Sequence, residues 1–177
     1  MGNKISIIIP HYPFNDEIND TLKKCETSLS HYDELVLVVN DKIGFAKAVN
    51  YGLKLAKGDY LMVVNNDIVW RTGDLRELCI PNVVTSPTVN SKDQKFWGCF
   101  FCIPRNIYEK IGGLDEQFEI GYFEDDDFMK RLELAGVEMR CINSCDIVTR
   151  GSSTMEQFDT KTIVNINREK FNKKWNI

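Results

Sequence analysis

Apolar positions in this chain come in short blocks. Ile5 to Ile9, Leu35 to Val39 and Leu61 to Val64 are continuous apolar runs of strand length, the pattern of strands covered on both faces. Asp16 to Leu29 and Gly44 to Ala56, lying between them, read as helices. Strands over Ile5 to Ile9, Glu34 to Val39 and Asp59 to Val64, alternating with those helices, predict a parallel sheet with right-handed crossovers. After Asp67 the pattern loosens. Thr72-Gly73-Asp74 predicts the cap of a short helix, Asn82 to Ser86 a strand, Ser86-Pro87 to Lys95 a polar loop, and Phe96 to Ile103 a buried strand. Helices follow over Asn106 to Ile111, stopped by Gly112-Gly113, and Asp126 to Ala135, stopped by Gly136, before a strand at Glu138 to Ile142. No internal repeat or low-complexity linker interrupts this order, which predicts one α/β domain.

Composition narrows the function classes. The chain has 177 residues, 43% of them hydrophobic, enough to bury a core. A net charge of -4, with basic residues concentrated only in the last segment, argues against a nucleic-acid partner. No apolar run approaches the roughly 20 residues of a membrane span. Met1 to Lys4 leads straight into the first strand with no signal peptide, so the expected location is cytoplasmic. Six cysteines include the close pairs Cys99/Cys102 and Cys141/Cys145, a spacing that zinc sites use. On a strand, however, residues three apart face opposite ways, which favours reduced, buried thiols.

The polar residues worth most attention stand where that sheet would end. In open α/β sheets ligands bind outside the carboxyl ends of the strands, and Pro10-His11-Tyr12, Asn40-Asp41 and Asn65-Asn66-Asp67 occupy those ends. A second acidic cluster, Glu124-Asp125-Asp126-Asp127, opens a helix. A carboxylate at a strand end can hold a cation, and one at a helix mouth can take a proton from a hydroxyl. The pairing points to an enzyme acting on a phosphate-bearing donor.

Four stretches together resemble the GT-A-fold nucleotide-sugar glycosyltransferases of the inverting family two, in particular small bacterial or viral rhamnosyltransferase-like members. They are Ile5 to Pro10; Gly44 to Leu53 with Ala56 to Tyr60 and Asn65-Asn66-Asp67; Gly98 to Arg105 with Ile111 to Glu116; and Phe123 to Phe128 with Arg131. Asn167-Arg168 through Phe171 to Lys174-Trp175 resembles the family's terminal segment. The resemblance implies a single GT-A (Rossmann-like) domain over residues 1–177, with a mostly parallel central sheet flanked by helices. Residues 1–67 would form the nucleotide-binding half and 68–177 the acceptor-binding and catalytic half. The implied reaction moves a sugar from a nucleoside diphosphate, UDP foremost, to a carbohydrate hydroxyl in polysaccharide biosynthesis.

The same resemblance distributes roles. Pro10, His11 and Tyr12 would hold the base, Asn40 and Asp41 the base or ribose, and Gly44, Lys47 and Asn50 the ribose or pyrophosphate at a helix N-terminus. Asn65 and Asn66 would complete the nucleotide site, and Asp67 would bind Mn2+ or Mg2+ bridging the diphosphate. Asp125 would be the base, with Glu124 orienting acceptor or base, and Trp97, Asp126 and Arg150 would face the sugars or the diphosphate. Asp127, four before Arg131, reads as a helical ion pair. Three departures from the pattern stand out: Asn40-Asp41 reverses the family's acid-amide order, Asn65 replaces the first acid of its Asp-x-Asp element, and Arg150 stands in a segment where a metal-binding His is usual. The alternatives are a non-catalytic nucleotide-sugar-binding module and a sugar-phosphate nucleotidyltransferase. The latter would need a Gly-rich basic loop that Pro10 to Asn15 lacks. The basic, aromatic segment Arg168 to Trp175 suits either a packed helix or a peripheral membrane contact.

Overall fold

The computed structural model describes residues 3–39, 43–151 and 153–177. All three apolar runs become strands: Ile5–His11 (β1), Glu34–Val39 (β2) and Tyr60–Val64 (β3), with β1 paired in parallel to both others. The crossovers are Asp16–Ser28 (α1) and Phe45–Leu55 (α2). Helix α1 starts where Asn15 Oδ1 accepts the Ile18 N–H at 2.9 Å, an amide cap.

The second half is less regular. Its elements are Ile68–Thr72 (β4), a 3₁₀ turn at Leu75–Leu78, Val83–Val89 (β5), Phe100–Pro104 (β6), Arg105–Ile111 (α3), Glu124–Leu134 (α4), Glu138–Thr149 (β7), a second 3₁₀ turn at Ser153–Gln157 and Thr160–Trp175 (α5). The seven strands form one sheet in the order β2-β1-β3-β6-β5-β7-β4. The expected single α/β domain is therefore present, but its sheet is mixed and not mostly parallel: β3·β6, β5·β6 and β4·β7 are antiparallel, and β5·β7 is parallel. No helix separates β5 from β6, so β6 returns in the opposite direction and enters beside β3 antiparallel.

Side chains of the central strands alternate between two cores. Ile5, Ile7, Ile9, Met62, Val64, Phe100 and Cys102 pack with Leu22 and Cys25 of α1 on one face. Ile8, Leu61, Val63, Phe101 and Ile103 pack with Val49 and Leu53 of α2, Ile107 of α3 and Phe128 and Leu132 of α4 on the other. Burial on both faces explains why these strands read as unbroken apolar runs.

Several boundaries differ from the sequence expectation. Strand β5 continues through Pro87 to Val89, so the polar loop starts later. Pro87, which has no N–H, sits where the ladder slips: Pro87 pairs with Ile142 and Thr88 with Asp146, leaving 143–145 as a bulge on β7. Past that bulge β7 runs on to Thr149 and pairs with β4, an element the sequence pattern did not announce. Strand β6 begins at Phe100, which places Cys99 in the preceding turn and leaves Cys102 buried in the strand.

No described helix is long and apolar enough to cross a membrane. The aromatic side chains of α5 that suggested a membrane contact turn onto the protein instead. Phe171 packs against Phe118 and Phe123, and the Trp175 indole N–H donates to Asp127 Oδ1 at 3.0 Å.

Candidate active site

The loops at the carboxyl ends of β1 and β3 meet the mouth of α4 and the end of β7 around a cavity of about 460 Å³, in the size range of small-molecule sites. Pro10, Tyr12, Gly44, Asn65, Asn66, Asp67, Trp97, Glu124, Asp125 and Arg150, all singled out in the sequence, line it. The two acidic clusters, 57 positions apart from Asp67 to Glu124, thus face one space. Among the described residues, three buried side-chain polar atoms lack a hydrogen-bond partner: Asn65 Oδ1, Trp97 Nε1 and Glu124 Oε2. All three belong to residues on this cavity wall. Buried polar groups are ordinarily paired, so this concentration marks a place where water or a ligand's polar groups would be taken up.

Helix α4 begins with four acids, of which Glu124 and Asp127 are buried, Asp125 half-buried and Asp126 exposed. Phe123 precedes it in a left-handed conformation (φ 72°), which aims the chain so that Glu124 is 6% exposed. Burial, with Asp125 alongside, lifts the Glu124 carboxyl to about 8. Asp125 is also raised by burial, then by Asp126, while its Oδ1 accepts the Asp126 N–H at 3.0 Å. Gly98 leaves room for it: a Cβ there would stand 2.5 Å from Asp125 Oδ2. At neutral pH the arrangement keeps Glu124 largely protonated, able to donate, beside a more basic than usual Asp125.

The opposite wall is the turn between β3 and β4. Asn65 N–H donates to the Cys99 carbonyl at 2.9 Å, and Asn66 Nδ2 donates to His11 Nδ1 at 2.9 Å. His11 Nε2 meets Asn19 Oδ1 of α1 at 3.0 Å, a chain that fixes the neutral tautomer with its proton on Nε2. Asp67 and Asp125 both bear on Cys99, whose thiol is pushed up to about 12, chiefly by burial. A divalent cation suits the oxygen donors here, because Asp67 offers a carboxylate and Asn65 an unpartnered buried carbonyl. Among the described residues no group of three His, Cys, Asp or Glu could close a metal shell without further ligands.

Some expected site residues face elsewhere. His11 is 4% exposed and supports Asn66 from below instead of lining the cavity. Asn50 is consumed as a staple: its Nδ2 donates to the Leu114 carbonyl (2.8 Å) and Glu116 Oε1 (2.9 Å), and its Oδ1 accepts the Leu114 N–H (2.8 Å). Lys47 lies on the exposed side of α2, and Asp126 on the exposed side of α4. Asn40 and Asp41 lie outside the described residues. Asp127 is fully buried among Arg131 (2.9 Å), Lys174 (2.6 Å) and Trp175, so its helical ion pair with Arg131 is joined by two partners from α5. Arg150 borders the cavity while its Nη1 holds Glu17 Oε1 of α1 at 2.6 Å, both side chains exposed.

Other lining residues were not anticipated. Asn90 and Lys92 come from the β5–β6 turn, held by the Asn90 N–H to the Ile147 carbonyl at 2.8 Å. Ile120, Gly121 and Tyr122 form the wall before α4, and Phe158 approaches Tyr12 with ring centroids 6.3 Å apart. Ile120 and Tyr122 are left-handed (φ 68° and 72°), each on the order of 1–3 kcal/mol of strain. The Ile120 carbonyl accepts the Phe45 N–H at 2.9 Å at the start of α2. Gly44 (φ 92°) sits against it, where a Cβ would meet Ile120 N at 3.1 Å.

Fold and site together define a glycosyltransferase-like domain of the GT-A class. Residues 15–79 match the model described as glycosyl transferase family 2, and residues 81–158 the model described as N-terminal domain of galactosyltransferase. No protein of curated function matches the sequence significantly. Solved structures share the fold. One is the catalytic domain of Drosophila beta1,4galactosyltransferase 7 in complex with xylobiose (TM-score 0.71, 16% identity, covering 93% of this chain and 80% of that one). A mutant of that enzyme with manganese, UDP-Gal and xylobiose aligns at TM-score 0.66 and 18% identity, covering 92% and 79%. The Pyrobaculum calidifontis mannosyltransferase in complex with GDP-Man and Mn2+ aligns at TM-score 0.66 and 16% identity, covering 85% of this chain. This chain spans 59% of that mannosyltransferase's length. At these identities the likeness speaks for the fold, and the expected GT-A resemblance is borne out.

Proposed function

We propose that this chain transfers a sugar from a nucleoside diphosphate, UDP in the first instance, to a carbohydrate hydroxyl with inversion at the anomeric carbon. The observation that carries the reading is one cavity flanked by Asp67, the buried Glu124 and the half-buried Asp125, with three unpartnered polar atoms on its wall. In this reading residues 1–67 supply the nucleotide side and 68–177 the acceptor side.

Asp125 takes the proton from the acceptor hydroxyl as that oxygen attacks the anomeric carbon, while the bond to the diphosphate breaks with its electron pair going to phosphate oxygen. Protonated Glu124 donates to a sugar oxygen and holds the acceptor beside Asp125. Asp67 and Asn65 would hold Mn2+ or Mg2+, whose chemistry is to neutralise charge on the departing diphosphate. The remaining ligands would come from diphosphate and water. The Arg150 guanidinium can leave an exposed partner for phosphate oxygens at small cost, since solvent screens surface pairs. The related structures held with UDP-Gal or GDP-Man, and with manganese, support a nucleotide-sugar donor and a divalent cation.

Calorimetry with UDP, with and without Mn2+, followed by transfer assays over a panel of UDP-, GDP- and dTDP-sugars with glycan acceptors, tests this reading. Metal-dependent nucleotide affinity with turnover on at least one donor is expected. Binding without turnover across the panel would instead identify a nucleotide-sugar-binding module.

A further inference from the structure

Helix α5 has one buried residue, and it is polar. Asn167 is 1% exposed at a position where an amphipathic surface helix would place an aliphatic side chain. Its Nδ2 meets three backbone carbonyls of the wall before α4: Glu119 at 3.1 Å, Gly121 at 2.8 Å and Tyr122 at 3.2 Å. One NH2 group has two hydrogens, so three converging acceptors make it the shared anchor of that segment. One turn further on, Phe171 packs against Phe118 and Phe123, which bracket the same segment.

We propose that Asn167 is a positioning residue: its amide holds the 119–122 wall and, through it, the mouth of α4 that presents Glu124 and Asp125. The inference rests on the function proposed above. The wall is left-handed at Ile120, Tyr122 and Phe123, a backbone that needs outside support to persist. An apolar side chain at 167 would fill the space yet strand buried carbonyls, which then turn toward water and release the strain. The wall touches the nucleotide side where the Ile120 carbonyl takes the Phe45 N–H, but the Asn65–Asp67 turn is held by separate contacts to His11 and Cys99, so loss of the Asn167 amide should cost turnover more than nucleotide affinity.

The test compares the native chain with Asn167→Leu and Asn167→Gln by amide hydrogen exchange, UDP titration in the presence of Mn2+, and transfer kinetics. In Asn167→Leu, exchange at residues 119–123 is expected to quicken by ~10-fold or more while the central strands stay protected. Turnover should fall by ~10-fold or more with UDP affinity kept within about threefold, and Asn167→Gln, which retains the amide, should recover part of both losses. Unchanged exchange at 119–123, or equal loosening throughout the chain with nucleotide affinity falling in step, overturns the proposal. If Asn167→Leu does not fold, Asn167→Ser carries the same comparison. Should the native chain transfer no sugar, the functional reading fails, and the exchange arm still decides whether Asn167 holds the wall.

Discussion

The two acidic clusters meet in one cavity, yet they are built differently. Burial raises both Glu124 and Asp125, with Asp125 adding to the rise at Glu124 and Asp126 to the rise at Asp125. The Asn65–Asp67 turn is braced by hydrogen bonds reaching through Asn66 and His11 to Asn19 on α1. In the proposed reaction the first cluster would serve proton transfer and the second would present oxygen ligands. A carboxylate's environment, more than its presence in a motif, assigns its chemistry.

The sharpest way to break this contrast is to neutralise each side in turn. Asp125→Asn is expected to cut sugar transfer by ~10²-fold or more with UDP and Mn2+ affinity within a few-fold, the scale of a lost general base. Asp67→Asn should do the reverse in a titration, weakening UDP binding most when Mn2+ is present. Transfer that survives in Asp125→Asn would move the base to another carboxylate.

A smaller effect concerns stability. Glu124 binds its proton more tightly when folded (about 8) than an ordinary carboxylate does. The native state then holds more protons than the unfolded one between about pH 4.5 and about 8, so stability falls as pH rises through that window, by on the order of a few kcal/mol at its upper end. Glu124→Gln should flatten the fall, as read from urea midpoints measured across this pH range. An equally steep fall in the variant would place the proton uptake elsewhere.

The smallest expected change is at Arg150. Its pair with Glu17 is exposed on both sides, so Arg150→Ala should leave the melting temperature within about a degree or two. If the guanidinium reaches phosphate oxygens during turnover, the variant should need more Mn2+ for half-maximal activity. An unchanged metal titration would leave Arg150 as a surface contact to α1.

Strands β1 and β3 were legible because burial on both faces writes itself as an apolar run, and β2 because its edge position keeps the same aliphatic residues although Leu37 and Val39 are exposed. Strand β4 was not: Ile68 is its one buried residue, and Arg71 and Thr72 are exposed, so its pattern resembles a turn. The length of β7 was hidden by Asn143 and Ser144, which belong to a bulge rather than to an end. In the site, Asp67, Glu124 and Asp125 could be found because each stands at the end of an element that points to the cavity. His11 and Asn50 misled because polarity within a motif does not reveal whether a side chain turns outward or is consumed by the backbone. Lys92, Tyr122 and Phe158 reach the cavity on loops whose direction is set by packing between distant elements, which one sequence does not display.

Helix α5 is the last element in chain order, and its contacts to Asp127 and to the 119–122 carbonyls close the site. Domains generally fold as units during synthesis. A nascent chain stalled before Thr160 would already contain both acidic clusters and the parallel half of the sheet. It would lack the Asn167 amide that holds the wall and the Trp175 indole that holds Asp127 of α4. In the proposed reaction the carboxylates at the mouth of α4 would thus be set only once α5 has docked.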